Sequence, residues 1–173
     1  MLHIRKANIA DATLLSRMGS ETFYESYAAY NTPEDMQQYV NEHFTIAKLE
    51  TVLQDAEREI YIAEWNGEPA GYLQVSPKAS EEHFPGQKAL CIDRMYVYQK
   101  YQSKKIGAAL MNRCIQAAEE WSSAYIWLWV WDRNPRAISF YERWGFIPFG
   151  TTTFILGTDR QTDILMYKPI TAG

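Results

Sequence analysis

Two short stretches carry residue types that could hold a phosphate and then deliver a proton. The first is Gln102-Ser103-Lys104-Lys105-Ile106-Gly107, set between an apolar run and a helical pattern. A helix N-terminus presents unpaired N–H groups and about half a positive charge, so it can bind an anion without metal help. Lys104 and Lys105 add two positive charges, and Gly107 leaves room for a phosphate near the backbone. A pyrophosphate is the natural guest of such a segment, and a plain strand–helix turn with solvated lysines is the alternative. Neither GxxxxGK followed by Ser or Thr nor GxGxxG occurs, which sets aside nucleoside-triphosphatase and dinucleotide loops.

The second stretch runs from Asn134 to Phe146 and contains Asn134-Pro135-Arg136 and Phe140-Tyr141. Ala137, Phe140, Tyr141 and Trp144 share one helical stripe, so spacing alone makes Tyr141 a core aromatic. Chemistry offers it another task. A phenol with a pKa of about 10 can protonate a departing thiolate of similar basicity. Asn134 is either a helix cap or a hydrogen-bonding contact to a bound cofactor.

The elements that must position these stretches alternate along the chain. Leu2 and Ile4 open a strand. Asn8 caps a helix predicted over Ile9 to Tyr27, with Ala10, Leu14, Met18 and Phe23 on its apolar side. Thr32-Pro33-Glu34-Asp35 starts a second helix, and Phe44 to Leu53 offers a third. Residues 60–65 and 70–75 flank Asn66-Gly67, a hairpin signal. The polar segment Ser76 to Lys88 reads as an exposed loop. Ala89 to Val97 is a strand, and a helix runs from Lys105 or Ile106 to Trp121. In Tyr125 to Trp131 both alternating sets are apolar, which predicts a central strand covered on both faces. Tryptophans 127, 129 and 131 are core residues on that basis. The Pro135 to Trp144 helix and two last strands, Ile147 to Ile155 and Thr162 to Lys168, complete a mixed α/β fold in one domain, residues 1–173.

Composition narrows the partners. Apolar residues make up 47% and charged residues 22% of the 173, and the net charge is −4. That balance speaks against a nucleic-acid partner, which needs a basic footprint. No run approaches the roughly 18 apolar residues of a membrane span, and no signal-peptide pattern opens the chain, so a cytoplasmic protein is expected. Cys91 and Cys114 read as buried free thiols, without a CxxC pattern, and no metal is expected.

Taken together, the two stretches resemble those of the GCN5-related N-acetyltransferase (GNAT) superfamily, and the resemblance spans most of the chain. The family's phosphate loop reads (Gln or Arg)-x-x-Gly-x-(Gly or Ala). Gln102 and Gly107 match it, whereas Lys105 stands at the usual first glycine, a departure that a helical backbone angle at Lys105 would tolerate. The resemblance implies a mixed sheet of about seven strands flanked by helices, with acetyl-CoA as co-substrate. It assigns the pyrophosphate to the amides of Gln102, Ser103, Lys104, Lys105, Ile106, Gly107 and Ala108. It assigns the pantetheine arm to Met95, Tyr96 and Val97, in the manner of an added strand. Asn134 and Arg136 would touch the far arm or the nucleotide side, and Tyr141 would be the general acid. Glu21-Thr22-Phe23, Asn31-Thr32-Pro33-Glu34-Asp35-Met36, Ile126-Trp127-Leu128, Gly157 and Gln161-Thr162-Asp163 resemble the bacterial spermidine/spermine N-acetyltransferases of the PaiA type.

Direct transfer to a primary amine, whose ammonium has a pKa of about 10.4, needs a group to remove a proton first. Asp93 is the first candidate, its alternative an ordinary ion pair with Arg94; His83 is a weaker one. A backbone N–H near Met95 would polarise the thioester carbonyl. Glu21, Tyr24 and Glu25, with Tyr27, could hold a polyamine, and a solvated helix face is the alternative. The acceptor is expected to be a small amine. A protein N-terminus or lysine, or a non-catalytic CoA-binding module, are the other readings. A homodimer is implied by the resemblance alone.

Overall fold

The computed structural model describes residues 1–171 of the chain. Its elements are Leu2–Lys6 (β1), Ala12–Tyr27 (α1), Pro33–His43 (α2), Ile46–Gln54 (α3), Glu59–Trp65 (β2), Glu68–Ser76 (β3) and Ala89–Val97 (β4) in the first half. Ile106–Glu120 (α4), Tyr125–Trp131 (β5), Pro135–Arg143 (α5), Ile147–Leu156 (β6) and Asp159–Pro169 (β7) follow. The strands form one seven-stranded sheet in the order β1-β2-β3-β4-β5-β7-β6. Every neighbouring pair is antiparallel except β4 with β5. The mixed sheet expected from the sequence is therefore present, with helices on both faces.

Alternation along the strands explains the two layers. Ile126, Leu128 and Val130 of β5 face a core shared with Ile106, Leu110, Met111 and Cys114 of α4. Tyr125 and Trp127 face the other way, with Trp129 packed against them. On that second face, toward the β1 edge, α1 to α3 cover Ile60, Ile62 and Tyr72 with Leu15, Met18, Phe23 and Phe44. The hairpin forms where Asn66-Gly67 predicts it, with positive φ at Asn66 (51°) and Gly67 (83°) as a type I′ turn requires.

Some predicted boundaries move. Residues Ile9–Asp11 form a 3-10 turn, with the capping box closed by Asn8 and Asp11, and the α-helix starts at Ala12. Asp11 is held there by Arg5, through bonds of 2.8 and 2.9 Å, and Ala10 is exposed rather than apolar-facing. Phe44 is the C-cap of α2, and Thr45 caps α3. The segment after β3 is not a solvated loop throughout. Phe84 packs 4.4 Å from Tyr125 between ring centroids, and Trp127 Nε1 donates to Lys78 O at 2.8 Å. This segment covers the β5 face around Tyr125 and Trp127.

Two irregularities in the sheet matter for the site. First, β4 and β5 pair over three positions only, from Ala89 opposite Tyr125 to Cys91 opposite Trp127. Beyond them β5 stays with β7 as far as Trp131 opposite Asp163, while β4 diverges. Second, Gln74 pairs with Arg94 but Val75 pairs with Ile92, leaving Asp93 as the extra residue of a β-bulge. The bulge shifts the strand's parity. Ile92 and Met95, three residues apart, both face the α4 core, whereas Arg94 reaches Tyr39 and Phe44 in the helical layer. Among the described residues, no helix is long and apolar enough to cross a membrane.

Candidate active site

Where β4 and β5 part, a cleft of about 320 Å³ opens between the β4 end, the start of α4 and the inner face of α5. Met95, Tyr96 and Val97 line one side; Gln102, Lys105, Gly107 and Ala108 line its end; Asn134, Arg136 and Tyr141 line the opposite side. Ser26, Ala137, Phe140 and Arg143, none of them a site candidate from sequence, complete the lining. Three of them lie on the α5 stripe or one turn beyond it, so a helix-face count would have reached them. Ser26 comes from α1 and no local signal marks it.

The backbone supplies part of the polarity. The β4 edge that faces away from β3 has no strand partner past Cys91, so its N–H and C=O groups are free to pair with an extended ligand. At the other end of the cleft, the first intrahelical bond of α4 is Ala109 N to Lys105 O, 3.2 Å. The Ile106, Gly107 and Ala108 amides ahead of it thus have no helical acceptor. Two amides assigned to the cradle are already committed. Gln102 N donates to Gln99 O at 3.2 Å and Lys104 N to Tyr101 O at 3.0 Å.

Side chains in the cradle divide likewise. Lys104 lies over the Trp65 ring, 5.6 Å from its centroid, and does not line the cleft. Ser103 is exposed, and the Ile106 side chain is core. Gly107 sits inside α4 and packs against α5, where a Cβ would stand 3.3 Å from the Phe140 ring. Lys105 has φ 59° and ψ 24°, a left-handed backbone and not the helical one that would tolerate a lysine. The turn into α4 must reverse there, which is why a glycine suits the position. A lysine in that conformation carries a strain of about 1 kcal/mol. Lys105→Gly is expected to raise Tm by roughly 2–4 °C, whereas Lys105→Ala keeps the strain and does not. Calorimetry should find both variants severalfold weaker for acetyl-CoA, since both lose the cation. Equal Tm values for the two would refute the strain.

Asn134 is a cap: its Oδ1 accepts from Ala137 N at 3.1 Å, with Pro135 behind it in the first turn. It lines the cleft as well. Tyr141 combines its two readings in the same way. Its ring is 8% exposed and packs against Phe140 and Phe146, while the residue borders the cleft. Burial raises its hydroxyl pKa well above the ordinary phenol, with smaller contributions from Tyr96 and Cys114. It is therefore protonated throughout the physiological range.

The carboxylates are placed less simply. Asp93 is half-buried and does not line the cleft. Ser76 Oγ donates to its Oδ1 at 3.0 Å, its Oδ2 is buried without a partner, and burial raises its pKa. The ion pair with Arg94 is not made. Arg94 Nη2 instead donates to Tyr39 Oη at 3.3 Å and its guanidinium stacks over Phe44. Glu21 faces Arg17 across 3.8 Å, and Tyr24 packs on the helical-layer core. Glu25 Oε2 accepts from Gln99 N at 2.8 Å, clamping α1 to the turn that leads into the cradle. None of the three lines the cleft. His83 is exposed, bonded to Ser80 and edge-on to Phe149.

Asp163 is the carboxyl that motif reading left aside. It is 4% exposed with Oδ1 unpartnered, and burial, with Asp132 nearby, pushes its pKa up to about 6. It pairs in register with Trp131, so the two share a face, and the Trp131 ring lies 5.2 Å from Tyr27. Its charge is felt at Tyr27 and at Tyr96, which lines the cleft.

Sequence comparison agrees with this geometry: the model of the acetyltransferase (GNAT) family matches residues 20–146, from within α1 through Phe146. The chain belongs to the GNAT family of acetyltransferases. This GNAT chain is 29% identical over 170 residues to an uncharacterized N-acetyltransferase of Lactobacillus delbrueckii subsp. lactis, covering 98% of this chain and 96% of that one. It is 28% identical over 85 residues to the spermine/spermidine N(1)-acetyltransferase of Bacillus subtilis, covering 47% and 55%. Among solved structures it resembles a PaiA N-acetyltransferase from Thermoplasma acidophilum in complex with coenzyme A. The TM-score is 0.79 at 22% identity, with 98% and 99% of the chains covered. The likeness in fold thus extends over nearly the whole of both chains.

Proposed function

We propose that the protein moves an acetyl group from acetyl-CoA directly to a small primary amine. The observation that carries this is one cleft in which the open β4 edge, the unpaired α4 amides and Tyr141 converge. Those groups fit acetyl-CoA by their own chemistry: free strand groups for an extended amide-bearing arm, and helix N–H groups with Lys105 for a pyrophosphate. Acetyl-CoA supplies an activated thioester and a thiolate leaving group. Tyr141 holds the proton that the thiolate takes. A backbone N–H of β4 near Met95 polarises the carbonyl. The amine's proton leaves through a carboxyl, directly or through water. Asp93 and Asp163 are the candidates; neither lines the cleft, and the charge of Asp163 is felt at Tyr96, which does. Two buried free thiols, Cys91 and Cys114, suit a cytoplasmic enzyme.

For the acceptor we infer a polyamine. Asp163 beside Tyr27 and Trp131 offers a carboxyl and aromatic faces to an ammonium, and the B. subtilis relative bears that activity in its name. The test is CoA-thiol release from acetyl-CoA with spermidine, spermine, aminoglycosides, amino acids and short peptides. Spermidine or spermine is expected to be fastest. Turnover of peptides with none of polyamines would replace the acceptor, and tight acetyl-CoA binding without turnover on any amine would replace the enzyme by a binding module.

A further inference from the structure

A second cavity, of about 230 Å³, lies between α1, α3 and the β3–β4 surface and shares no lining residue with the acetyl cleft. Its polar lining is His43, Lys48, Thr51, Arg58, Tyr72, Gln74 and Arg94, with no carboxylate among them. Arg58 is engaged by Asp55 at 3.3 Å, but Arg94 pairs with no carboxylate among the described residues. A guanidinium carries five N–H donors, and Arg94 gives one to Tyr39 Oη. Phe44 and Tyr39 hold its plane, with centroids 4.4 and 5.8 Å away. An inward-turned guanidinium without a counter-charge is costly unless something completes it.

A second observation points to the same missing group. Tyr72 is 2% exposed, lines this cavity, and its hydroxyl has no hydrogen-bond partner. Thr22 beside it gives its own proton to Met18 O at 2.7 Å and can serve Tyr72 only as an acceptor. His43 is driven toward its neutral form by burial and by Arg94 and Lys48, against Glu42. The rest of the lining is apolar: Leu15, Phe44, Leu49 and Val52. The volume lies below the roughly 300–1,000 Å³ of drug-sized sites, so the guest is metabolite-sized.

We propose that this cavity binds a small carboxylate on a short aliphatic body, its oxygens taken by Arg94 and Tyr72 and its charge balanced by Lys48. The site goes beyond acetyl transfer and does not depend on it. Arg94 and Met95 are consecutive residues facing opposite sides of β4, so an occupant would press on the strand that borders the acetyl cleft.

The test is calorimetric titration of the whole protein, without acetyl-CoA, by butyrate, glutarate and inorganic phosphate. Saturable binding of butyrate or glutarate is expected. Arg94→Gln should weaken it roughly 10–100-fold, the worth of a charge-assisted pair. Should Arg94→Gln fail to fold, Lys48→Ala at an exposed position and Tyr72→Phe at constant volume are each expected to weaken it about threefold or more. Phosphate bound in preference to both carboxylates overturns the ligand class. No binding, or binding indifferent to the substitutions, overturns the site, and neither result touches the thiol-release assay.

Discussion

Tyr141→Phe is expected to lower kcat for CoA-thiol release by about 10²–10⁴-fold, the usual worth of a positioned general acid. Acetyl-CoA affinity should stay nearly constant, because the cradle and the β4 edge lie elsewhere in the cleft. Stability should also hold. The ring contacts with Phe140 and Phe146 survive in phenylalanine, and no hydrogen bond contributes to the hydroxyl's raised pKa. The measurements are steady-state kinetics, acetyl-CoA calorimetry and Tm on one preparation. A variant that turns over at the parental rate removes Tyr141 from proton donation. A variant that loses kcat, affinity and Tm together reassigns it to the core.

Asp163→Asn carries two expected effects of opposite sign. If Asp163 takes the amine's proton, kcat/KM of the parent rises with pH through about 6 and then levels. The variant loses that limb and roughly 10²–10⁴-fold in rate. Asp93→Asn serves as the comparison and should keep the limb. Stability moves the other way. The native carboxyl has its pKa raised from 3.8 to about 6, so the folded state binds the proton more tightly than the unfolded one. Its stabilisation is full below about 4 and is lost as pH rises through about 6. Asparagine resembles the neutral acid at every pH. After discounting for solvent screening, the variant should gain about 1–2 kcal/mol at pH 8, and nothing below about pH 4. That corresponds to roughly 2–8 °C in Tm. An unchanged Tm at pH 8 would mean that Asp163 is already compensated.

The donor half of the site was legible because it is local. Gln102 to Ala108 and Asn134 to Tyr141 each join one element to the next, and their roles rest on helix ends and a 3.6-residue stripe. The parity of β5 was legible for the same reason. The left-handed turn at Lys105 was not legible, because lysine carries no signal for a left-handed backbone, whereas glycine would have announced one. Asp93 lost its pairing with Arg94 because the bulge arises from the register between β3 and β4, a property of two strands. Glu25 looked like an acidic ligand on its helix, but its carboxylate is taken by an amide 74 residues away. Asp163 shares its alternation with Leu165 and Tyr167, so its facing was readable. What was not readable is that α1 and Trp131 cover that end of the face.

The parting of β4 from β5 also bears on how the protein keeps company with itself. An unsatisfied strand edge is the surface on which chains aggregate by adding one another's strands. Here that edge lies in the middle of a sheet and opens on the slot between the start of α4 and α5, which is narrow for a folded chain. Partly unfolded copies have no such narrow approach to respect. A ligand that zips the slot shut should therefore act as a solubility agent during refolding and storage. Light scattering at micromolar protein, with and without coenzyme A, would register it as a lower rate of association.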